Sequence, residues 1–368
     1  MSFFRPTWAE INLKNIKFNF KSIKHILPAG VHTMAVVKAN AYGHGSIPVS
    51  KTLETQGVNY LGVATLDEAL EIKKRGIKCP ILILGSILPQ EAEIAAKNNI
   101  TITLCNIELL KKIEKNRIKT KVHIKVDTGM GRIGVWHEEA IKFVKKVCKV
   151  RNIDIEGIYT HFSIAGRDKF FTKYQIKSFA DVVKKTEEEG ISIKYKHAAN
   201  SIGLIDWKVS RLNMVRPGII IYGVYPKKNF SKKITLKPAL SLKTRIAFIK
   251  DVPAGRSVSY GRTYITQKHT KIGTLPIGYA DGYGRILSNK AQVLVKGKPA
   301  NIVGKVTMDQ AMMDLDGIKN AKINDEVVLI GRQKHHEIRI EKLARLAGTI
   351  PYEILTGITQ RVPRHYIV

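Results

Sequence analysis

A lysine that ends an apolar run is the first residue of this sequence with an evident chemical capacity. The run TMAVVK, residues 33–38, ends at Lys38, and Tyr42 and a Gly-His-Gly turn follow at once. An amine in such a place can bind a carbonyl carbon covalently if burial or nearby cations keep it neutral. A lysine at a strand end is more often a solvated edge residue. Lys38 therefore predicts a site only together with partners elsewhere in the chain.

Polar residues and glycines follow several later apolar runs in the same way. The hydroxyl of Ser201 and the backbone amides of Gly218 and Ile219 would suit a phosphate monoester, which barrels often hold after their last two strands. A lysine beside a phosphate cradle predicts pyridoxal phosphate as the cofactor. The candidate site residues at or just after the ends of these apolar runs are Lys38, Arg132, His161, Asn200, Ser201, Arg216, Gly218 and Ile219.

Short apolar strands that alternate with lysine-rich helical patterns would position these residues. Helices are predicted at 67–75, 107–115 and 137–149, among other places. Eight such alternations over about 200 residues are typical of a parallel (β/α)8 barrel, in which the carboxyl ends of the strands share one mouth. The predicted strands are 33–38, 59–65, 80–85, 100–105, 122–127, 153–162, 195–201 and 215–223. The fold class is therefore α/β.

The pattern changes near residue 235, where strand runs separated by turns replace the alternation. These runs cover 239–252, 271–284, 291–306 and 325–331, with no regular helix between them. Such a pattern predicts a separate, mainly β domain. We therefore predict a cofactor-binding barrel over residues 1–234 and a C-terminal mainly β domain over residues 235–368.

The net charge of +32 is the strongest feature of the composition. It would fit nucleic-acid binding, but the lysines are spread over many helical segments instead of one arm or tail, which favours solvated helix faces. We therefore expect no nucleic-acid partner. The pair His335 and His336, beside Lys334, predicts a solvated loop, so we also expect no metal site.

Cysteine usage and the apolar segments indicate the compartment. The three cysteines match no metal spacing and no disulfide framework, which favours a reducing cytoplasm. Apolar segments such as PILILGSILP are too short to span a bilayer. The first ten residues lack the basic region and the long apolar stretch of a signal peptide. We expect a cytoplasmic protein without a membrane partner.

Eight blocks of this sequence resemble, in their order, those of the alanine racemase family. The block AVVKANAYGHG (35–45) is the most specific of them, and the resemblance covers essentially the whole chain. It implies a pyridoxal phosphate enzyme that interconverts L- and D-alanine and supplies D-alanine for cell-wall peptidoglycan. The other blocks are KVDTGMGRIG, YTHFS, AANS, RPGIIIYG, SVSYGRTY, PIGYADGYGR and TMDQAMMDL.

The resemblance implies a role for each matched residue. Lys38 would form the Schiff base with the cofactor, and Tyr260 would be the second catalytic base. Arg216 would face the pyridine nitrogen, with His161 supporting it. Because a guanidinium does not give up its proton, that nitrogen would stay unprotonated, which limits transamination and decarboxylation. The residues that would bind the phosphate are Tyr42, Ser201, Gly218, Ile219 and Tyr352, and Asn200 joins the cofactor set beside Ser201.

Substrate binding and assembly follow from the same resemblance. Arg132 and the backbone of Met308 would hold the substrate carboxylate. Members of the family are homodimers, in which Tyr260, Tyr279 and Met308 enter the barrel of the other subunit. Thr307 stands where we expect many relatives to have cysteine, which leaves the carboxylate contact intact because that contact uses backbone.

Strand alternation in KVHIKVD predicts an unusual chemical state for Lys125. It places His123, Lys125 and Asp127 on one strand face. If that face points into the barrel, Lys125 is buried beside Arg132, and two cations together are costly. Carbamylation would turn the amine into an anion that orients Arg132, and some relatives carry this modification. A neutral lysine or a bound anion are the alternatives.

Three other functions compete with this interpretation. The segment GMGRIG (129–134), with Glu156 further on, matches a dinucleotide fingerprint and would fit an NAD-dependent dehydrogenase. A non-catalytic pyridoxal phosphate carrier would share the barrel, but it would not use a C-terminal domain with Tyr260. A racemase of wider scope, acting for instance on serine, is the third alternative.

Overall fold

The first large element is a closed parallel barrel, seen in a computed structural model that describes residues 4–368, apart from the side chain of Lys228. Each strand pairs with the next, and the last pairs with the first. The predicted α/β barrel is therefore confirmed. Its eight strands within the described chain are His32–Val36, Tyr60–Val63, Ile81–Ser86, Thr101–Leu104, Thr120–Asp127, Ile153–Tyr159, Tyr195–His197 and Met214–Val215.

Amphipathic helices surround this barrel. Helix Ile107–Lys115 shows why they form, because Asn106 caps its first turn while Leu109 and Ile113 are buried and the lysines face outward. The three named helix predictions are each confirmed to within a few residues. The helices of this part are Leu13–His25, Ser46–Thr55, Leu66–Lys74, Ala92–Lys97, Ile107–Lys115, Ala140–Cys148, Lys169–Glu188 and Ser201–Asp206, and Lys38–Tyr42 is a short left-handed turn.

The last three barrel strands are shorter than predicted. The predicted strand 215–223 is wrong beyond Val215, because Pro217 has no N–H for a strand ladder and Ile219–Tyr222 forms a 3-10 turn. The predicted strand 195–201 ends at His197, and 153–162 ends at Tyr159. The polar residues expected at these strand ends therefore lie on the turns and helix starts that follow them.

The C-terminal part is mainly β, as predicted. It forms a seven-stranded sheet and a three-stranded sheet among the described residues. The strand Thr7–Asn12 belongs to the larger sheet, between Leu240–Arg245 and Arg364–Ile367. The first residues therefore pack with the second domain, and the boundary at residue 234 stays a prediction. The other strands are Phe248–Val252, Thr270–Leu275, Gln292–Val295, Lys298–Asn301, Ala311–Asp314, Glu326–Gln333 and His336–Ile338.

Some C-terminal segments differ from the expectation. The second half of the run 271–284 forms a 3-10 turn at Tyr279–Asp281, and His336 lies in a strand instead of a loop. Helices Ile340–Leu346 and Pro351–Gly357 were not predicted. The short elements of the remaining chain are strand Val135–Trp136 and the 3-10 turns Pro89–Glu91, Lys208–Arg211, Lys228–Lys232, Tyr260–Arg262 and Arg285–Leu287.

Candidate active site

A cavity of about 570 Å³ opens at the carboxyl end of the barrel. At the opposite end, Met34, Tyr60, Leu82, Tyr195 and Met214 fill the barrel interior. The mouth is therefore the end that can receive a ligand. The predicted site residues that line it are Lys38, Tyr42, Lys125, Arg132, His161, Asn200, Ser201, Arg216, Gly218, Ile219 and Tyr352.

Lys38 begins a turn of left-handed helix. The residues from Ala39 to Tyr42 have φ values of 51–53°, in the region that L-residues avoid at about 1–2 kcal/mol each. Long-range contacts hold this turn. The Glu68 carboxylate accepts the amide of Ala39 at 2.6 Å and that of Ala64 at 2.7 Å, tying the ends of the first two barrel strands together. This clamp fixes the backbone from which Lys38 reaches the cavity.

The electrostatic surroundings of Lys38 favour a neutral amine. Burial lowers its pKa below the ordinary value, and Arg132 lowers it further. The Glu68 carboxylate acts in the opposite direction. A lysine with a lowered pKa is a better nucleophile and a better base near neutral pH.

Ser201, Gly218 and Tyr42 form a small cradle at one end of the cavity. The Gly218 amide donates to the Ser201 Oγ at 2.9 Å, and a Cβ at position 218 would lie 2.7 Å from the Tyr42 hydroxyl. Ile219 starts a 3-10 turn, whose first amides have no partner within the turn. Burial raises the pKa of Tyr352 to about 12, and that of Tyr42 higher still, so both hydroxyls keep their protons. The hydroxyls of Ser201, Tyr42 and Tyr352 and the first amides of this turn are donors that fit a phosphate, whereas the Gly218 amide is bonded to Ser201.

Asn200 has a local structural task beside this cradle. Its side-chain oxygen accepts the amides of Ile202 at 3.0 Å and Gly203 at 2.9 Å, and so caps helix Ser201–Asp206. Capping fixes the start of the helix and with it the Ser201 hydroxyl. Asn200 therefore positions the cradle in addition to lining the cavity.

The Arg216 guanidinium is buried and held on three sides. It donates to the carbonyls of Thr160 at 2.7 Å and Ala198 at 3.0 Å, and to His197 Nδ1 at 2.8 Å. A longer contact of 3.4 Å joins it to His161 Nδ1. Burial lowers its pKa to about 10, so it remains a cation, and burial and this cation hold the pKa of His161 well below its usual range. A ligand atom facing Arg216 meets a donor that accepts nothing.

Lys125 is buried with cations near it. Its side chain is 2% exposed, and its Nζ donates to the Val126 carbonyl at 3.0 Å and lies 5.2 Å from the Tyr159 ring centre. Burial and then Arg216 lower its pKa to about 7. Among residues 4–368 no carboxylate forms an ion pair with it. Lys125 therefore lies among cations without a paired carboxylate, which is the setting that the predicted carbamylation requires. The carbamylation itself stays a prediction.

The glycine-rich loop after the fifth barrel strand closes on its own carboxylate. The three amides of residues 129–131 donate to Asp127 at 2.8–2.9 Å. These amides are used, so they cannot cradle a pyrophosphate, and the loop instead presents Arg132 to the cavity. Glu156 lies within the sixth strand and accepts a hydrogen bond from the Tyr60 hydroxyl at 2.5 Å, so it is already paired inside the barrel. The dehydrogenase interpretation of GMGRIG is therefore wrong.

Tyr260, Tyr279 and Met308 lie away from the cavity of their own chain. Their exposed fractions are 73%, 42% and 53%. The Tyr279 amide donates to the Thr307 carbonyl at 3.0 Å, so the loops that carry Tyr279 and Met308 adjoin. The positive φ values of Ser259 and its neighbours show that the turn presenting Tyr260 is strained. The fold of one chain does not bring these three residues to the other predicted site residues.

Some residues of the site were not predicted from the sequence. Tyr159 packs its ring beside Lys125 and Arg216, and Glu68 and His197 hold Lys38 and Arg216 through the bonds described above. Two of them had a signal, because inward-facing residues on barrel strands can be counted from strand alternation. Glu68 had none, since its contact depends on the neighbouring strand. Further lining residues are Val36, Ala64, Leu84, Ser86, Ile133, Ile202 and Thr356.

The described residues contain neither a metal-binding cluster nor a helix that could span a membrane. No group of three His, Cys, Asp or Glu residues in 4–368 could hold a metal ion. No helix of that part of the chain has the length and apolar content needed to cross a membrane.

Comparison with known proteins gives one consistent family. Residues 11–226 match the family described as alanine racemase, N-terminal domain, and residues 239–366 match alanine racemase, C-terminal domain. The alanine racemase of Halothermothrix orenii is 49% identical over 98% of this chain and 97% of its own length. That of Carboxydothermus hydrogenoformans is 46% identical over 99% of this chain and 100% of its own. The alanine racemase structure from Clostridium difficile 630 superposes with a TM-score of 0.94, at 41% identity, covering 100% of this chain and 97% of that one.

Proposed function

We propose, from the premise that the chain belongs to the alanine racemase family, that it interconverts L-alanine and D-alanine with pyridoxal phosphate in the barrel cavity. The observation that carries this proposal is the meeting of Lys38, Arg216 and the Ser201–Gly218 cradle around one cavity. These are an amine, a fixed cation and a set of phosphate donors. The product D-alanine would supply peptidoglycan precursors, and the free cysteines of the described chain fit the cytoplasm.

The residues present fit the cofactor at both of its ends. The Lys38 Nζ would bind its aldehyde carbon covalently, and Ser201, Tyr42 and the start of the Ile219–Tyr222 turn would hold its phosphate. The Arg216 guanidinium would donate to its ring nitrogen and keep that nitrogen unprotonated. When bound, pyridoxal phosphate draws negative charge from the substrate α-carbon into its ring and so makes the α-proton removable.

Two bases on opposite faces would move that proton. Lys38 Nζ is free to carry it on one face after substrate has displaced the lysine, and its lowered pKa supports the neutral form that this requires. Tyr260 of the partner subunit would act on the other face through its Oη, with L-alanine as its substrate and D-alanine as that of Lys38.

We infer that the working form is a head-to-tail homodimer. Tyr260, Tyr279 and Met308 are exposed and away from their own cavity, although the resemblance assigns all three to the site. Phe170 is 87% exposed at the start of the helix after the sixth barrel strand, near the same mouth. An aromatic side chain this exposed beside the mouth fits a partner that covers it. Each subunit would then complete the site of the other.

Substrate selection would rest on Arg132 and on the partner. Arg132 would pair with the substrate carboxylate, and the Asp127-closed loop fixes the backbone that carries it. The Met308 backbone and the Tyr279 ring of the partner subunit would complete the pocket. A racemase acting equally on serine is the competing substrate range, and turnover of L-alanine measured against L-serine and L-lysine separates the two.

The cofactor assignment has a direct test. The purified protein should be yellow, and reduction with borohydride should fix the cofactor on the peptide that contains Lys38, as read by mass spectrometry. Lys121→Met, a lysine of the barrel outside the cavity, is the matched control and should be labelled as the wild type is. A colourless protein that binds NAD would contradict the proposal.

Tyr260→Phe tests the two bases, because it keeps the ring and removes the group that carries the proton. Racemisation should fall about 100-fold or more in both directions, with cofactor binding unchanged. The α-hydrogen of D-alanine should still exchange with deuterated solvent, whereas that of L-alanine should not. Mixing this variant with one that lacks Lys38 should restore activity in mixed dimers. Equal exchange from both enantiomers would rule out the assignment of the bases, and failed complementation would place Tyr260 in its own subunit's site.

A further inference from the structure

A chain of three buried side chains runs from Arg216 into the barrel. Arg216 Nη1 lies 2.8 Å from His197 Nδ1, and His197 Nε2 lies 2.8 Å from His123 Nδ1. Both histidines are fully buried. The three residues come from the eighth, seventh and fifth parts of the barrel, so the chain crosses its interior below the cavity.

Hydrogen-bond chemistry permits one arrangement of protons along this chain. Arginine has no acceptor, so His197 Nδ1 must accept from Arg216. A histidine that also accepted at Nε2 would be an imidazolate, so His197 carries its proton on Nε2 and donates it to His123 Nδ1. His123 then carries its own proton on Nε2. Burial lowers the pKa of His123 to about 3 and that of His197 well below its usual range, in keeping with two neutral rings.

The barrel is shaped around His123. A Cβ at position 157 would lie 2.5 Å from His123 Nδ1, so Gly157 allows this ring its place on the neighbouring strand. The ring packs against both Tyr60 and Tyr195, with ring centroids at 5.5 and 5.9 Å. His123 Nε2 has no hydrogen-bond partner in the described chain. The Nε2–H of His123 is therefore a buried donor without a partner, and the bond between its Nδ1 and His197 is the hydrogen bond that holds this ring in the described chain.

We propose that His123 is a positioning residue for the cofactor site, acting through the proton on His197 to hold Arg216 in place. Without an acceptor at His123, the buried Nε2–H of His197 loses its partner, and the other tautomer becomes competitive. That tautomer would aim an N–H at the Arg216 Nη1 donor 2.8 Å away, and the two donors would push Arg216 aside. The consequence for catalysis rests on the proposed function, in which Arg216 faces the ring nitrogen.

The proton arrangement can be measured independently of activity. Imidazole ¹⁵N chemical shifts of the histidine-labelled holoenzyme report which nitrogen of each ring carries hydrogen. His123 and His197 should both be neutral with hydrogen on Nε2, their signals assigned by loss in His123→Asn and His197→Asn. A proton on Nδ1 of His197, or a doubly protonated ring, would overturn the inference.

Two substitutions separate the acceptor from the packing. In His123→Asn the side-chain oxygen can take the place of Nδ1 and accept from His197, whereas His123→Leu offers no acceptor. By analogy with the hydrogen-bond partners of metal-binding histidines, His123→Leu should lower kcat about tenfold and His123→Asn should restore most of it. Pyruvate formed per racemisation should rise with His123→Leu, because a displaced Arg216 no longer keeps the ring nitrogen unprotonated and the substrate's amino group would then pass to the cofactor. The ¹⁵N signals of His197 should report a changed tautomer in His123→Leu and the wild-type tautomer in His123→Asn.

Tyr60→Phe is the matched control. Tyr60 contacts the same ring at the same depth, but its hydroxyl bonds to Glu156 and not to the chain that ends at Arg216. It should lower stability while leaving kcat and pyruvate formation within about twofold of the wild type. If His123→Leu behaves as Tyr60→Phe does, His123 merely fills the barrel and the proposal is wrong. A wild-type protein with the expected tautomers but no alanine racemisation would instead defeat the proposed function and leave the proton arrangement standing.

Discussion

Replacing Lys125 by methionine should stabilise the protein in neutral and acid solution from which carbon dioxide has been removed. The pKa of this buried amine falls from 10.5 to about 7, through burial first and Arg216 second. Between these values the unfolded chain binds a proton that the folded chain does not, so stability rises with pH across the window. The cost of burying the ammonium group is fully present below the folded pKa and absent above the unfolded one.

The size of the effect follows from the two pKa values. Each pH unit between them corresponds to about 1.4 kcal/mol, so the cost approaches about 5 kcal/mol at pH 6 and falls to about 1 kcal/mol at pH 10. Lys125→Met removes it, and the free energy of unfolding in urea should rise by about 3–5 kcal/mol at pH 6 and about 1 kcal/mol at pH 10. Protein concentration is held constant, because a dimer is stabilised by mass action.

Bicarbonate then tests the carbamate itself. Carbon dioxide adds to the neutral Lys125 amine with loss of one proton, which places an anion beside Arg216 and Arg132. Bicarbonate should therefore stabilise the wild type and leave Lys125→Met unchanged. Lys121 lies on the same strand as Lys125, is half-exposed and pairs with Glu156 of the neighbouring strand. Lys121→Met is therefore the control and should change stability by less than about 1 kcal/mol.

Two results would refute this reasoning. If Lys125→Met and the wild type show the same dependence of stability on pH, the cost assigned to the buried cation is absent. If bicarbonate has no effect, and high-resolution density shows a bare amine at Lys125, the carbamate is excluded.

Three further substitutions probe the supports of the site. Glu68→Gln should lower the free energy of unfolding by about 1–3 kcal/mol, as measured in urea. The Glu68 carboxylate accepts hydrogen bonds from two backbone amides, and in glutamine an NH2 group would face one of these two donors. Asp127→Ala frees three loop amides and should raise KM for alanine about tenfold more than it lowers kcat, through Arg132; equal losses in both would contradict this. Gly218→Ala puts a Cβ 2.7 Å from the Tyr42 hydroxyl and should weaken cofactor binding in titrations, and an affinity like that of the wild type would contradict the cradle.

Much of the fold was predictable because it depends on local pattern. Parallel strands that are covered on both faces have continuous apolar sequences. The helices between them show apolar residues at the helical period and capping residues at their ends. The predicted strand at 215–223 failed for a reason also visible locally, since Pro217 cannot join a ladder. The cavity residues followed from strand order, because a barrel brings strand ends together whatever the loops do. The roles of these residues came from the resemblance and stay predictions.

The sequence by itself determined which residues are present and which barrel strand each would follow. Lys38, Arg132 and Ser201 reach one mouth because eight apolar runs alternate with helices, and no distant contact is needed to infer it. Contacts between elements far apart in the chain escape such reasoning, since they depend on the register of neighbouring strands. The left-handed turn after Lys38 is one case, because its cost is offset by the Glu68 clamp from the next unit of the barrel.

The tertiary structure decided the state of the buried groups. Tyr352 reaches the cavity on a helix that the sequence pattern did not indicate, from the last part of the chain. The lowered pKa of Lys125 and the fixed tautomers of His197 and His123 depend on how far each group lies from water and on which donor faces it. Burial and the direction of a donor are properties of packed elements, and a one-dimensional pattern carries no measure of either.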